Sequence, residues 1–230
     1  MGSLESGYAF ASERDLQARL ETLDFLQDDA ADAVYFRREV PVGKVIPDLV
    51  CIRFNRLPEL NIRNSRWSFR HAYLLWLLRR RNRLTLLSLA RLTYDRQDKV
   101  ELLVKDLLHS GTIVQLPTGS FALSRQFASL QAEVIAVEAK LDRWNEALQQ
   151  ARKYQRFADR VFVAMDYERI KTKRVPIPEF IQSGVGLLGV SKTCTRFLNR
   201  GRRYRSASPE WEYLVSSTLT NNRQALWVRR

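Results

Sequence analysis

The pattern of apolar and polar positions separates the start of the chain into one helical stretch and two extended ones. Residues 12–30 repeat leucine and phenylalanine at roughly helical spacing behind an acidic first turn, which predicts a helix. Val34 to Val40 and Val45 to Phe54 are rich in β-branched and aromatic residues, which predicts two strands. The turn residues between them, Pro41-Val42-Gly43-Lys44, indicate that the two strands form a hairpin.

The middle of the chain changes to a helical repeat after a polar linker over residues 56–66. Leucine-rich stretches predict three helices, and a short hairpin is expected after Gly111. Three helices followed by a β-hairpin are typical of a winged helix-turn-helix, and the segment resembles that broad fold by this order alone. The predicted helices are Phe69 to Arg80, Leu84 to Arg91 and Asp95 to Leu108, and the hairpin strands are Thr112 to Leu116 and Phe121 to Leu123.

The rest of the chain returns to alternating strands and helices. This alternation indicates an α/β fold with a mixed central sheet flanked by helices. Pro176-Ile177-Pro178 predicts a turn, and Lys192 to Arg205 is an arginine-rich tail segment. The predicted elements are a strand from Gln131 to Leu141, a helix from Asp142 to Phe157, a strand from Asp159 to Asp166, a helix from Tyr167 to Lys173, a strand from Val185 to Val190 and a helix from Pro209 to Leu219.

The net charge is +13, and it is unevenly distributed along the chain. Residues 1–33 hold two basic and eight acidic side chains, a balance of −6. Residues 195–230 hold eight arginines and two glutamates, +6, and residues 67–124 hold nine basic and four acidic side chains, +5. Such a basic chain commonly has a polyanionic partner, and arginine suits bidentate phosphate contacts, so we expect nucleic acid. The alternatives are a merely solvated basic surface and a membrane-binding face.

Two basic clusters supply the candidate DNA contacts. The third helix of a winged helix-turn-helix enters the major groove, but here it also carries four acidic residues. The arginine run that ends the first helix is therefore the better phosphate clamp, although the segment could instead bind protein. The tail mixes arginine with Phe197 and Tyr204, which suits nucleic acid or, equally, a flexible basic tail. The candidate nucleic-acid-binding residues are Arg79, Arg80, Arg81, Arg83, Arg96, Lys99, Arg202 and Arg203.

Cysteine and histidine usage excludes several classes of protein. Cys51 and Cys194 lie far apart and show no paired spacing, so neither a disulfide framework nor a zinc site is expected. His71 and His109 have no partner at ligand spacing and are expected to be structural. No apolar run has the length of a membrane span, and the chain does not start like a signal peptide. These features predict a cytoplasmic protein without membrane contact.

Two short clusters far apart in the chain carry the candidate chemistry. Asp48 lies in one predicted strand, and Glu138 and Lys140 lie two residues apart in another, so the last two share a face of the sheet. Charges on a strand that otherwise belongs to the core are costly unless they are paired or bind a metal. Carboxylate oxygens suit Mg²⁺, with Mn²⁺ as an alternative, and a lysine beside them suits a phosphate. The set predicts metal-assisted phosphodiester hydrolysis.

Pro47-Asp48 followed by Glu138-x-Lys140 resembles the motif of the PD-(D/E)xK nuclease superfamily, which has the restriction-endonuclease-like fold. The resemblance implies a third acidic residue, for which Glu39 is the candidate, so that Asp48, Glu138 and Glu39 would hold the metal. Gln150 and Tyr154 match the Q-x-x-x-Y motif of an exonuclease-rich branch. The implied catalytic residues are Asp48, Glu138, Lys140, Glu39, Gln150 and Tyr154.

The chain departs from the superfamily in one spacing. Asp48 and Glu138 are 90 residues apart, whereas most members join these two strands by a hairpin or a short loop. The winged-helix-like segment occupies this gap. The predicted domains are therefore a discontinuous nuclease-like core, residues 1–58 and 128–230, and an inserted winged-helix DNA-binding module, residues 66–125.

The leading functional hypothesis is a Mg²⁺-dependent nuclease that cuts double-stranded DNA and is positioned by the inserted module. The first alternative is a DNA-binding regulator that keeps the nuclease fold without cutting. The second is a subunit of a larger DNA-processing complex that works only with its partners. The sequence leaves open whether the chain forms a homodimer or requires a partner protein, and whether it cuts internally or from ends.

Overall fold

A computed structural model describes residues 10–20, 31, 33–56, 67–220 and 227–228 of the chain. Its helices are α1 (Glu13–Leu20), α2 (Phe69–Arg81), α3 (Leu86–Thr93), α4 (Gln97–His109), α5 (Arg125–Ala128), α6 (Trp144–Tyr154), α7 (Tyr167–Lys173), α8 (Ile177–Ser183) and α9 (Pro209–Thr220). Its strands are β1 (Ala33–Arg38), β2 (Leu49–Arg56), β3 (Ile113–Gln115), β4 (Phe121–Leu123), β5 (Gln131–Lys140), β6 (Arg160–Asp166), β7 (Gly186–Val190), β8 (Thr195–Asn199) and β9 (Trp227–Val228).

Seven strands form one mixed sheet in the order β8-β7-β6-β5-β2-β1-β9. Strands β5, β6 and β7 are parallel, and β8 pairs antiparallel with β7. The parallel strands are joined through helices, α6 between β5 and β6 and α7 with α8 between β6 and β7. The predicted mixed α/β class, with helices flanking a central sheet, is confirmed. Within the described part of the chain, no helix is long and apolar enough to cross a membrane.

The core lies on the parallel strands, which are apolar on both faces. Val134 to Val137 of β5 are each at most 1% exposed, and Val161 to Met165 of β6 are equally buried. Parallel strands covered by helices are expected to read as continuous β-branched runs, as these two do. Each Val, Ile, Phe or Met side chain among them contributes about 1.5–3 kcal/mol on full burial. A charged residue at the end of such a strand is thereby held at a fixed position.

The chain divides into two compact units. The first consists of Met1–Asp29, Phe36–Cys51 and Glu133–Ser206, and the second of Ala30–Tyr35, Ile52–Ala132 and Ala207–Arg230. The second unit holds all of residues 66–125, the predicted insert. It also holds α9, which the sequence had assigned to the nuclease-like core.

The second unit contains α2, α3 and α4 followed by the β3–β4 hairpin, the order expected from the sequence. The hairpin is tied to the helices by a two-way backbone bridge between Leu84 and Phe121, at 2.8 and 3.0 Å. His71 lies in the first turn of α2, where its Nδ1 atom accepts the Ser68 backbone N–H at 3.1 Å. Its Nε2 atom lies 3.3 Å from a carboxylate oxygen of Asp106. These contacts are consistent with the structural role predicted for His71.

Three predicted segments have a different structure. Strand β2 begins at Leu49 and not at Val45, because Val42 and Val45 close a tight bridge around Gly43, which has a φ of 62°. Helix α8 occupies the predicted turn; a proline is tolerated in the first turn of a helix, where the missing N–H has no intrahelical acceptor. Strand β8 lies within the segment predicted to be a basic tail. Residues 21–30 of the predicted first helix and residues 57–66 of the predicted linker lie outside the described residues.

Candidate functional site

Asp48 and Glu138 are brought together in the first unit by the ends of two strands. Asp48 precedes β2 directly, after the hairpin turn closed by Val42 and Val45. Its Oδ2 atom accepts the backbone N–H of Ala139 at 2.7 Å. Because Ala139 follows Glu138, this hydrogen bond fixes the first carboxylate beside the second across 91 positions of the chain.

Glu138 is a carboxylate in an apolar strand, and its side chain is 4% exposed. Its Oε2 atom accepts the phenol O–H of Tyr154 at 2.6 Å. Tyr154 projects from the last turn of α6 and is itself buried. A short hydrogen bond from a buried donor holds the carboxylate in one orientation and leaves Oε1 for other partners.

Lys140 lies two residues beyond Glu138 on the same face of β5. Its Nζ atom is 3.7 Å from Glu138 Oε1 and 3.2 Å from Glu13 Oε2. Burial acts to lower the pKa of Lys140, but the hydrogen bond that its ammonium donates to Glu13 and the charges of the surrounding carboxylates raise it above its ordinary value. Lys140 therefore remains an ammonium at neutral pH, so it can donate hydrogen bonds but cannot take up a proton.

The two central carboxylates are destabilised in their charged forms. Burial and then the neighbouring charge of Asp48 raise the pKa of Glu138 to about 7. Burial raises the pKa of Asp48, and the charges of Glu13 and Glu39 add to this, against the hydrogen bond from Ala139. Carboxylates whose pKa values are raised by burial and by neighbouring negative charges are characteristic of functional sites and of sites that hold a cation.

Helix α1 supplies two site residues that the sequence analysis did not single out. Glu13 holds the Lys140 ammonium, and Gln17 donates from Nε2 to Asp48 Oδ1 at 2.9 Å. The two are four residues apart, so they lie on one face of the helix. The helix was predicted, but a long-range contact of its polar face leaves no local trace in a single sequence.

Glu39 and Gln150 lie at the edge of this arrangement. Glu39 is exposed, with a φ of 48°, and its backbone N–H donates to the Asp48 carbonyl at 3.3 Å. Its carboxylate acts on Asp48 through its charge. Gln150 is exposed on α6, whereas Tyr154 on the same helix is buried against Glu138. Of the Q-x-x-x-Y pair, the structure brings only the tyrosine into contact with a site carboxylate.

The carboxylate oxygens of Asp48 and Glu138 are candidate ligands of a metal ion. The described residues contain no group of three or more His, Cys, Asp or Glu side chains placed to hold a metal, so the predicted trio of Asp48, Glu138 and Glu39 is not formed. Glu39 is exposed at its left-handed turn, which explains why it does not join the other two. Mg²⁺ commonly binds through one or two carboxylates and keeps several waters. Asp48 and Glu138, both oxygen donors, fit such an ion.

Several predicted DNA contacts are occupied within the fold. Arg79 makes a two-point ion pair with Glu212, at 2.9 and 3.2 Å, and the Glu212 side chain is 1% exposed. Arg96 pairs with Asp98 at 3.1 Å, and Arg203 lies 3.1 Å from Glu133. The Arg79 guanidinium is thus engaged by a buried carboxylate, which leaves it less available as a phosphate clamp. The remaining candidates are exposed, with Arg80 stacked on Trp76: Arg80, Arg81, Arg83, Lys99 and Arg202.

No protein-family model matches the chain, and no curated protein is significantly similar to it. Among solved structures, a protein of unknown function from Silicibacter pomeroyi is similar to part of the chain, with 22% sequence identity and a TM-score of 0.29. The aligned part covers 37% of this chain and 54% of that protein. The chain thus spans about half the length of that protein, and the likeness assigns neither a family nor an activity.

Proposed function

We propose that the protein is a metal-dependent nuclease that hydrolyses phosphodiester bonds of DNA, with the first unit as a PD-(D/E)xK core. The observation that carries the proposal is the meeting of Asp48, Glu138 and Lys140 in one cluster, in which Glu138 is buried and the other two are half-buried. Two carboxylates whose pKa values are raised and an ammonium within 3.7 Å of one of them form a site suited to a cation and a phosphate. Structural ion pairs alone would not require two carboxylates to lie near enough for the charge of one to raise the pKa of the other.

Asp48 and Glu138 would hold a Mg²⁺ ion, or Mn²⁺ in its place. When bound, the ion lowers the pKa of a water molecule and neutralises charge on the phosphate. Tyr154 orients Glu138, and the Ala139 N–H and Gln17 orient Asp48. In hydrolysis a water molecule loses a proton to solvent and its oxygen adds to phosphorus. The bond to the leaving ester oxygen breaks, and the leaving oxygen takes up a proton from solvent. Lys140 would donate hydrogen bonds to the phosphate oxygens as their charge increases.

The second unit would hold the DNA as a winged helix-turn-helix module. Its helix order, its hairpin and the exposed arginines at the end of α2 support this role. The net charge of +13 favours a polyanionic substrate, and double-stranded DNA is the form that such modules bind. The acidic residues of α4 limit its use as a reader of bases, so backbone contacts would dominate the affinity.

The test is cleavage of plasmid and linear duplex DNA with Mg²⁺, Mn²⁺ or EDTA. Wild type is expected to cut only with a divalent ion. Asp48→Asn, Glu138→Gln and Lys140→Met should each lower the rate by at least about 100-fold, because the first two weaken the metal site and the third removes a donor to the transition state. Glu146→Gln and Lys153→Met, at exposed positions of α6, make the same chemical changes outside the site and should cut like wild type.

The same assay separates the alternatives. Duplex binding without cleavage in wild type and in all variants would replace the nuclease by a DNA-binding regulator. Cleavage that appears only after a partner protein is added would indicate a subunit of a larger complex. Cleavage by wild type that survives Asp48→Asn and Glu138→Gln would place the chemistry elsewhere in the molecule.

A further inference from the structure

A second cluster of charged and aromatic side chains lies on the same sheet as the site, at the edge formed by β8. Arg196 of β8 donates from Nη1 to the Tyr167 hydroxyl at 2.9 Å, and its guanidinium carbon is 5.1 Å from the centre of the tyrosine ring. Lys171 places its Nζ atom 4.3 Å from the same ring. Both cations are exposed, and the ring between them is partly exposed.

Strand register places this cluster in one row with Lys140. Lys140 pairs with Met165, Met165 with Gly189, and Gly189 with Arg196. Residues paired across neighbouring strands share a face of the sheet, so Arg196 points to the face that carries Glu138 and Lys140. Three strand spacings of about 4.8 Å separate β5 from β8, which makes the row about 14 Å long.

Gly189 explains how Tyr167 reaches this row. A Cβ atom at Gly189 would lie 2.5 Å from the Tyr167 ring, so the ring crosses the strand where glycine leaves room. Asp166, which is buried, fixes the position of Tyr167 from the other side: its Oδ1 atom accepts the Glu168 and Arg169 backbone N–H groups at 2.9 and 3.1 Å. The cluster is therefore built by the fold and is not a chance meeting of mobile side chains.

The charge of Arg196 is not neutralised by the fold. Among the described residues, no carboxylate forms an ion pair with Arg196, in contrast to Arg79, Arg96 and Arg203. Lys171 shares the carboxylate of Glu168 at 3.0 Å, so it contributes less net charge. A guanidinium held by a tyrosine hydroxyl and by the nearby Cys194 thiol, with no carboxylate partner among the described residues, is arranged to take a phosphate in a fixed orientation.

We propose that Arg196 and Tyr167, with Lys171, form a subsite for a phosphate of the DNA strand being cut, about 14 Å from the scissile one. Because the strand winds around the helix axis while it rises about 3.4 Å per nucleotide, a B-form strand covers this distance in about two nucleotides. This rests on the proposed nuclease function and adds the path of the substrate. The strand would run across the carboxyl ends of β5, β6 and β7, from Lys140 to the edge strand β8. Substrates that end before the subsite would bind more weakly than longer ones.

The test measures duplex affinity by fluorescence anisotropy in Ca²⁺, over a range of salt concentrations. Arg196→Ala should weaken binding roughly tenfold and reduce the salt slope by about 1, as expected for one lost phosphate contact. Tyr167→Phe keeps all charges and removes only the hydroxyl that holds Arg196. It should weaken binding about threefold and leave the slope unchanged, because the number of released counterions stays the same.

The matched control is Arg200→Ala. Arg200 stacks on Phe197, which pairs with Leu188 and so lies on the opposite face of β8 from Arg196. Arg200→Ala removes one positive charge from the same segment, as Arg196→Ala does, and should leave duplex affinity nearly unchanged. Equal losses for Arg196→Ala and Arg200→Ala would overturn the subsite, because they would mean that the segment acts only through its overall charge. Unfolding temperatures of all three variants should match wild type, since the altered side chains lie at the surface.

A second measurement locates the phosphate. In a duplex that wild type cleaves, a single uncharged methylphosphonate linkage replaces one phosphate at a time, at successive positions along the strand. In wild type one linkage about two nucleotides from the cut should weaken binding, and Arg196→Ala should abolish that effect. Cleavage by wild type with no such position overturns the subsite and leaves the nuclease standing. If wild type binds duplex and never cuts it, the nuclease proposal is refuted. A loss of duplex affinity in Arg196→Ala would then still support the phosphate contact.

Discussion

Glu138 carries an unfavourable charge in the folded protein. Its pKa is raised to about 7, above the ordinary 4.5, by burial and by Asp48. Between these two pH values the folded state holds a proton that the unfolded state has lost. Stability without metal therefore falls as the pH rises from about 4.5 to about 7, and it stays low above that. A residue kept at such a cost is better explained by a bound cation than by the fold.

Glu138→Gln should therefore stabilise the metal-free protein at pH 8 by on the order of 1–3 kcal/mol, because the neutral amide removes the buried charge. At pH 4.5, where Glu138 is protonated, wild type and variant should differ little. Urea unfolding at the two pH values measures this difference. Glu146→Gln, on the exposed side of α6, is the control and should show no such pH dependence. Equal stability of Glu138→Gln and wild type at pH 8 would contradict the raised pKa.

Tyr154→Phe tests the support of the carboxylate. The change removes the O–H that lies 2.6 Å from Glu138 Oε2 and keeps the buried ring. Loss of a hydrogen bond that orients a metal ligand typically lowers metal affinity roughly 10–100-fold. Titration calorimetry with Mg²⁺ measures the change, and Tyr94→Phe, at a position 97% exposed, is its control. Unchanged Mg²⁺ affinity in Tyr154→Phe would mean that Glu138 is not a ligand.

The site residues that the sequence identifies are those whose charge is unusual for their local surroundings. Asp48, Glu138 and Lys140 were identifiable because charges stand out in β-branched runs. Glu13 and Gln17 were not, because polar residues on a surface helix are ordinary until their partners are known. The motif can be predicted from one sequence, but the helix face that completes the site depends on tertiary contacts.

At the scale of elements, α2 and α9 are joined by the ion pair of Arg79 and Glu212. The guanidinium also lies over Phe127 and Trp211, at 5.5 and 6.0 Å from the ring centres. Arg79 therefore stabilises the second unit, whereas its neighbours in the run, Arg80 and Arg81, are exposed. The sequence could not separate these arginines, because all three follow one another at a helix end and only their tertiary partners differ.

Arg79→Met should destabilise the protein by about 3–5 kcal/mol, because it leaves the buried Glu212 carboxylate without a partner. Arg81→Ala should change stability by less than about 0.5 kcal/mol, as for an ordinary surface position. Urea unfolding compares the two. If Arg79→Met were as stable as wild type and bound DNA more weakly, the side chain would belong to the DNA interface after all.

Strand β8 and helix α8 show where element prediction fails. The segment Thr195–Asn199 reads as a basic tail, yet edge strands tolerate charged residues because one edge faces away from the sheet. The prolines around Ile177 read as a turn but also suit a helix start. By contrast, β5, α6, β6 and α7 carry clear periodicity and were predicted within a few residues. Elements with a regular pattern of buried residues can be predicted from the sequence, whereas strands at the edge of a sheet cannot.

At the scale of the whole molecule, a chain with a net charge of +13 contains a locally acidic site. The basic surface would attract DNA, and the carboxylates around Lys140 would repel phosphate unless a divalent ion is bound. Binding and cutting should therefore depend on ions in opposite ways: monovalent salt weakens binding, and a divalent metal enables cleavage.

Duplex affinity should fall steeply with KCl concentration. Four or more phosphate contacts would give a slope of about −4 or steeper in a plot of log affinity against log salt. Fluorescence anisotropy over a series of KCl concentrations measures it, with an uncharged methylphosphonate duplex of the same sequence as the control. A flat response to salt would mean that the basic residues do not contact the DNA backbone.

The central claim is that Asp48 and Glu138 share one metal ion. The most direct measurement is anomalous X-ray diffraction from crystals of the protein soaked in Mn²⁺, for wild type and for Glu138→Gln. We expect one anomalous peak in wild type, about 2.0–2.2 Å from a carboxylate oxygen of each residue, and a weak peak or none in Glu138→Gln. A wild-type crystal whose two carboxylates hold no common ion, or in which Glu138→Gln retains the peak, would contradict the account.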